Sequence, residues 1–185
     1  ILLQSDYVLP IGENSQFELG YRGGFNTRKT DFGVELLNTD TNQFEVDDNL
    51  SNLFNFKMYI NALYTQFGSK INKFSYLFGL RLEDTQITID QPTTGEFKKK
   101  TFTGLFPTVN FSYELSQSQS LTLGYSRRIQ RPRGFYLNPF PSRSSLTNIF
   151  QGNPDLNPSY TGLYELGYLN RFEKVTLNAS IYHQN

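Results

Sequence analysis

The chain has 185 residues with 17 basic and 17 acidic side chains, so its net charge gives no argument for nucleic acid as a partner. It contains no cysteine, which excludes disulfide bonds and thiolate chemistry among these residues. Its 17 Phe and 12 Tyr give it a strong aromatic bias, yet its mean hydropathy is only −0.47. No apolar run reaches the roughly 18 residues of a transmembrane helix, but a transmembrane β-strand alternates apolar and polar residues and keeps a low mean hydropathy.

Alternation of apolar and polar residues predicts β-strands from one end of the chain to the other. A weak first strand is predicted near residues 3–9. The others are predicted at 17–25, 32–36, 54–64, 74–83, 108–115, 121–125, 164–168 and 175–181. This gives about eight to nine strands without a competing helical period, so the fold class is all-β.

The predicted connections alternate in length after one of medium length at 10–16. Short connections are predicted at 27–30, 68–73, 116–120 and 170–174, and long ones at 38–52, 90–100 and 131–160. An antiparallel up-and-down transmembrane barrel has short periplasmic turns and longer extracellular loops. A soluble sandwich with Greek-key connections breaks this order. The rhythm therefore favours a membrane barrel.

The aromatic and aliphatic face of the strands is expected to point outward to lipid, because a charge at mid-depth costs about 2–4 kcal/mol there. In the clearest strand this face comprises Phe54, Phe56, Met58, Ile60, Ala62 and Tyr64. The lumen face is expected to carry Arg22, Lys57, Asn61, Arg81, Glu83, Asn110, Glu114, Arg128, Glu165 and Asn178. Interfacial girdles are expected from Phe17, Tyr64, Phe67, Phe74, Tyr113, Tyr125 and Tyr168. The alternative is a soluble sheet with the same face against a protein core.

The most informative stretch spans residues 121–168. A strand, LTLGYSRRIQ, leads into a connection that is too rich in Pro and Gly to lie within a sheet, and a second alternating strand follows. The connection is therefore a long, stiffened loop between two antiparallel strands. The residues of this loop that stand out as candidate motifs are Arg131, Pro132, Leu137, Asn138, Pro139, Phe140, Gly152, Asn153, Pro154, Leu156 and Pro158.

These residues resemble the C-terminal barrel of TonB-dependent outer-membrane receptors, and most closely the outer-membrane β-barrel family with the pattern YSRRIxRP…LNPF…GNPxLxP…YELGY. Outside 121–168 the chain agrees in style rather than in motif. One departure is Ser159, where such receptors usually have an acidic residue, and it leaves the subfamily open.

The resemblance implies a role in uptake of a bulky solute across the outer membrane of a Gram-negative bacterium. Transporters of this kind have about 22 strands and a plugged lumen, so residues 1–185 would form a partial barrel domain whose plug domain lies outside this segment. The implied partners are outer-membrane lipid including lipopolysaccharide, a TonB-type energy-coupling protein reached through the plug, and a surface lipoprotein.

Two other protein classes stay open. One is a complete small structural or adhesive outer-membrane barrel of about eight strands, although such proteins usually end on an aromatic residue and this chain ends on Asn185. The other is a soluble β-sheet module that binds carbohydrate through exposed aromatic side chains. An enzyme is not expected, because the single histidine, His183, has no recognisable catalytic partner. No metal or other cofactor is expected, because the chain lacks Cys and a second His and has no nucleotide-binding motif.

Several residues near the long loop are candidate ligand or lipid contacts. They are Arg127, Arg133, Phe135, Tyr136 and Arg143. One hypothesis is that Arg127, Arg131 and Arg133 bind phosphates of the outer leaflet, because guanidinium groups match phosphate geometry. The alternative for the arginines is a solvated rim, and the alternative for the loop is that Pro and Gly only stiffen it. The basic run 98–100 is expected to be the solvated flank of a loop.

Overall fold

The described part of the chain, residues 1–143 and 147–185 of a computed structural model, contains one eight-stranded antiparallel sheet and two small hairpins. In chain order the elements are β1 (Leu2–Ile11), β2 (Ser15–Phe32), β3 (Glu35–Asn38), β4 (Gln43–Val46), β5 (Asn52–Ile71), β6 (Phe74–Gln91), β7 (Glu96–Glu114), β8 (Gln119–Gln130), the single helical turn α1 (Gly134–Leu137), β9 (Ser142–Arg143), β10 (Ile149–Phe150), β11 (Ser159–Arg171) and β12 (Thr176–Gln184). The large sheet has the order β1-β2-β5-β6-β7-β8-β11-β12, and β3–β4 and β9–β10 form the hairpins. No helix within the described ranges is long and apolar enough to span a membrane.

The all-β prediction is confirmed, but the prediction of a turn at 27–30 is wrong. β2 continues through these residues and pairs with β5 as far as Phe32 opposite Asn52. The Thr-Arg-Lys-Thr segment contains neither Pro nor Gly, so nothing in it interrupts a strand. The predicted long connection at 90–100 is also wrong, because only residues 92–95 form a turn and Gly95 adopts the left-handed conformation it needs, with φ of 72°.

The connections at the two ends of the sheet differ in length. At the short-turn end the connections are residues 12–14, 72–73, 115–118 and 172–175. At the loop end they are 33–51, 92–95 and 131–158. β2, β5, β6 and β7 have 18, 20, 18 and 19 residues, whereas a tilted strand crosses a bilayer in about 9–11 residues. These strands are therefore long enough to cross a bilayer and extend beyond it.

Residues directly opposite each other in antiparallel strands share a face of the sheet. The outer face is defined by exposed rows such as Leu63–Leu82–Leu105 and Leu123–Leu166–Ile181. The inner face is defined by polar rows such as Arg22–Ala62–Glu83 and Asn110–Gly124–Glu165. The register thus confirms the expected lumen-face positions Arg22, Arg81, Glu83, Asn110, Glu114, Arg128, Glu165 and Asn178.

The face prediction for β5 is wrong. Ala62 lies opposite Arg22 and Glu83, so the register puts Phe54, Phe56, Met58, Ile60, Ala62 and Tyr64 on the inner face. Lys57 and Asn61 lie on the outer face instead. Both faces of β5 carry large apolar side chains, so its alternation does not reveal which one meets lipid. Tyr64 consequently leaves the predicted girdle, whereas Phe67 and Phe74 lie on the outer face at the short-turn end among Tyr76, Phe78 and Phe111, with ring centroids 5.6–6.1 Å apart.

The buried apolar core lies on the inner face at the loop end. Phe54 and Phe56 of β5 and Ile87 and Ile89 of β6 pack there against Leu137 of the long loop, residues 131–158. Leu137 is 0% exposed, and full burial of such a side chain contributes about 1.5–3 kcal/mol. The inner face is therefore covered at this end by the chain's own loop.

Candidate functional site: an inward-folded loop

The long loop begins with a charged anchor on the inner face. Arg131 donates from Nε to Thr85 Oγ1 at 2.9 Å, and its terminal nitrogen forms an ion pair with Glu83. Glu83 also pairs with Arg81, so one carboxylate serves two guanidinium groups. The side chains of Arg131 and Glu83 are 14% and 10% exposed. The hypothesis that Arg131 binds lipid phosphates is therefore wrong, because its guanidinium is turned to the inner face and is already paired with Glu83.

A second anchor fixes the far half of the loop. Lys98 Nζ lies 2.7 Å from Asp155 Oδ1, and Lys100 Nζ donates to the carbonyl oxygen of Leu156 at 2.8 Å. The hydrogen bond from Lys98, and secondarily its charge, holds the pKa of Asp155 below its usual range. The prediction of a solvated loop flank at 98–100 is wrong, since these lysines lie in β7 and two of them hold the loop.

The two halves of the loop motif pack on each other. The Gly152 amide donates to the carbonyl of Asn138 at 2.8 Å, and the Asn153 amide donates to the carbonyl of Tyr136 at 2.8 Å. A Cβ at Gly152 would lie 2.5 Å from the Asn138 oxygen, which is why glycine is needed at this contact. Gly134 is similarly tight, because a Cβ there would lie 3.0 Å from the Phe56 ring. The LNPF and GNPxLxP motifs therefore form one folded unit.

The four candidate contact residues whose side chains are described do not form one site. Arg127 lies on the outer face, with its guanidinium 5.1 Å from the centre of the Tyr160 ring. Phe135 and Tyr136 are exposed on the loop, and Phe135 stacks on Phe150 at 4.3 Å. Arg133 is exposed just before α1, and the side chain of Arg143 lies outside the described part of the chain. Contact of these residues with ligand or lipid stays a prediction.

A cavity of about 470 Å³ lies at the loop end between the inner face and the long loop. The cavity is lined by β2 and β5 of the sheet, by residues 134–142 of the long loop, and by the connection 33–51. Its apolar lining comprises Phe32, Val34, Leu50, Phe54, Phe135, Phe140 and Pro141. Its polar lining comprises Arg28, Thr30, Asn52, Asn138 and Ser142. Sequence reasoning missed the β2 side of this cavity, because it assigned 27–30 to a turn.

Among the residues that the structure describes, no group of three or more His, Cys, Asp or Glu side chains is arranged to hold a metal ion. The polar groups that line the cavity are instead one guanidinium, two amides and two hydroxyls around an apolar space. Such a space suits an organic ligand held by a few polar contacts.

Comparison with known proteins gives a family and a fold. The sequence profile described as the outer membrane protein beta-barrel family matches residues 1–185. No curated protein matches the chain. Among solved structures, the copper transporter OprC aligns with a TM-score of 0.73 and 13% identity over 99% of this chain and 29% of its own. The unliganded ferric citrate transporter FecA aligns with a TM-score of 0.66 and 15% identity over 100% of this chain and 26% of its own.

The ferric yersiniabactin uptake receptor FyuA from Yersinia pestis aligns with a TM-score of 0.65 and 13% identity over 99% of this chain and 28% of its own. The chain thus spans less than a third of the length of each of these three proteins. Identities of 13–15% show a shared fold alone.

Proposed function

The chain belongs to the outer membrane protein beta-barrel family, and on that premise we propose that it is part of the barrel wall of a transporter that takes up a bulky solute. The protein lies in the outer membrane of a Gram-negative bacterium, and its barrel is similar to those of TonB-dependent receptors. The outer face meets lipid, and the inner face lines the lumen. The short-turn end is then periplasmic and the loop end extracellular.

The proposal rests on one observation: the inner face of an open sheet is covered at the loop end by the chain's own long loop. β1 and β12 do not pair within the described chain, so the eight strands leave the sheet open. Its inner face is covered at the loop end by a folded loop, whereas a closed eight-stranded barrel fills its interior with its own side chains. This arrangement supports a wide barrel with room for a solute rather than a small structural barrel.

A soluble carbohydrate-binding module fits less well. The outer face exposes leucines on neighbouring strands, including Leu63, Leu82 and Leu105. A contiguous apolar surface of this kind needs lipid or another protein to cover it. We infer no catalytic role, because the polar lining of the loop-end cavity consists, among the described residues, of one guanidinium, two amides and two hydroxyls, with no carboxylate or imidazole to act as a base.

The proposed partners follow from the proposed transport. A TonB-type energy-coupling protein would act through a plug domain, a surface lipoprotein could present the solute at the loop end, and lipopolysaccharide would surround the outer face. The long loop, fixed by Arg131 and Lys98, would narrow the extracellular entrance while leaving the adjoining cavity open to solute.

Uptake by the source bacterium tests the proposal. The gene for the full-length protein is deleted, and accumulation of a panel of radiolabelled bulky solutes is measured with and without a protonophore. We expect at least one solute to lose its energy-dependent accumulation and to regain it when the gene is restored. Unchanged accumulation across the panel, with a weakened envelope in the deletion strain, would instead support a structural barrel.

A further inference from the structure

We propose that the loop-end cavity is a binding site for an amphiphilic anion, a ligand with an aromatic or aliphatic body and one carboxylate. The cavity volume of about 470 Å³ lies within the roughly 300–1,000 Å³ that small-molecule sites occupy. This inference adds to the proposed function a chemical class for the solute. It rests on that function in one respect, namely that the cavity is part of the uptake route.

The apolar residues that line the cavity indicate the chemistry of the larger part of the ligand. Phe54 and Phe140 are buried on two sides of the cavity. Val34, Leu50 and Phe32 complete an apolar lining that comes from β2, from β5, from the long loop and from the 33–51 connection. Aromatic faces and branched aliphatic groups favour an apolar, planar or chain-like body, because its burial removes apolar surface from water.

The charge of the ligand is specified by Arg28. It is the sole charged residue among those that line the cavity, and no acidic side chain accompanies it. It shares the inner face of β2 with Thr30 and Phe32 at a spacing of two residues. Within the described ranges its guanidinium forms no ion pair and no hydrogen bond. A guanidinium without a partner beside an apolar space favours a carboxylate, which it binds through two parallel hydrogen bonds.

A second donor is fixed by a chain of hydrogen bonds. The Thr93 amide donates to Gln91 Oε1 at 2.9 Å, so Gln91 must present Nε2 to its other partner. That group donates to Asn52 Oδ1 at 2.7 Å. The orientation of the Asn52 amide is thereby set, and its Nδ2 is left as a donor that no described residue accepts from. Asn52 lines the cavity with Arg28, so both polar groups donate, as an anion requires.

Binding is tested with the full-length protein in lipid nanodiscs. Naphthalene-2-carboxylate is titrated calorimetrically, with protein-free nanodiscs as the blank, and the neutral naphthalene-2-carboxamide serves as the comparison ligand. We expect saturable binding of the carboxylate and weaker binding of the amide. Arg28→Gln should weaken carboxylate binding by about tenfold, as loss of one charge-assisted contact predicts, and leave amide binding unchanged.

Two further variants separate the cavity from general charge effects. Arg22→Gln removes the same residue type from the same face of β2, six positions nearer the short-turn end and outside the cavity lining, and it should leave carboxylate binding unchanged. Arg28→Glu should reverse the preference, so that naphthalen-2-ylmethylammonium binds better than the carboxylate. The proposal is wrong if the carboxylate does not saturate, or if Arg22→Gln and Arg28→Gln weaken it equally.

Failure of this proposal is distinguishable from failure of the proposed function. Binding in nanodiscs needs neither an energy source nor a coupling protein. Saturable, Arg28-dependent binding in a protein that supports no uptake would contradict transport alone. Energy-dependent uptake of solutes that is unaffected by Arg28→Gln and Arg28→Glu would contradict the cavity assignment alone.

Discussion

Replacing Glu83 with Gln removes the carboxylate that Arg81 and Arg131 share on the inner face. Arg131 keeps its hydrogen bond to Thr85 Oγ1, but two guanidinium groups lose their counter-charge. Breaking a fully buried ion pair costs about 3–5 kcal/mol. The three side chains here are 10–30% exposed, so solvent screens part of that loss and we expect about 2–3 kcal/mol.

This cost should appear as opening of the long loop rather than as loss of the barrel. Hydrogen exchange of the Gly152 and Asn153 amides reports the opening directly, because both amides donate to the other half of the loop. A cost of about 2–3 kcal/mol corresponds to exchange about 30- to 140-fold faster. The β5 and β6 amides in the middle of the sheet should keep their protection.

Lys70→Gln is the matched control. It removes an exposed ion pair with Glu114 at the short-turn end, where the N–O distance is 2.6 Å and the two side chains are 45% and 46% exposed. Such a surface pair contributes about 0–1 kcal/mol, and loop exchange should not change. If Glu83→Gln and Lys70→Gln gave the same exchange at Gly152 and Asn153, the assignment of Glu83 as a loop anchor would be refuted.

Three further changes have defined outcomes. Gly152→Ala puts a Cβ 2.5 Å from the Asn138 oxygen, so we expect the loop to become sensitive to protease in intact cells, and unchanged cleavage would contradict the packing of the two motif halves. The pKa of Asp155 is lowered from its usual 3.8 by Lys98, so its contribution to holding the loop is present above about pH 4 and lost as the pH falls through the lowered pKa. A cleavage step at acidic pH that Lys98→Gln removes would confirm this, and the same step in both proteins would contradict it. Leu82→Arg on the outer face should cost about 2–4 kcal/mol if that face meets lipid at mid-depth. The measurement is the free energy of unfolding from lipid vesicles, Arg22→Lys is the control on the inner face, and an unchanged value for Leu82→Arg would mean that the outer face does not meet lipid.

The strand pattern was predictable where one face of a strand alone is apolar. At 17–25 and 74–83 the alternation identified strands whose outer positions the register confirms. It failed at 27–30, because Thr-Arg-Lys-Thr is polar at every position, so this part of β2 has no apolar face and resembles a turn. It failed for the faces of β5 because the inner side chains Phe54 and Phe56 are covered by protein rather than by lipid.

The loop motif was recognisable, but its anchors were not. Arg131 and Glu83 are 48 residues apart in the sequence, and Lys98 and Asp155 are 57 apart. Such pairs depend on the register of β6 and β7 and on the path of the loop. The alternation of apolar and polar residues in the sequence reveals neither the register nor the path. The cavity depends on the same path, since β2, the 33–51 connection and the long loop meet there only in three dimensions.

The position of the loop anchors also has a consequence for the order of assembly. The described anchors of the long loop lie in β5, β6 and β7: Phe56 packs against Gly134, Glu83 and Thr85 hold Arg131, and Lys98 holds Asp155. All of these strands precede the loop in the chain. A docked loop therefore does not require β11 and β12, and we expect it to fold as soon as β5, β6 and β7 have paired. The loop would then act as a spacer that fixes the start of β11 at Ser159, so that the last two strands join the sheet in register.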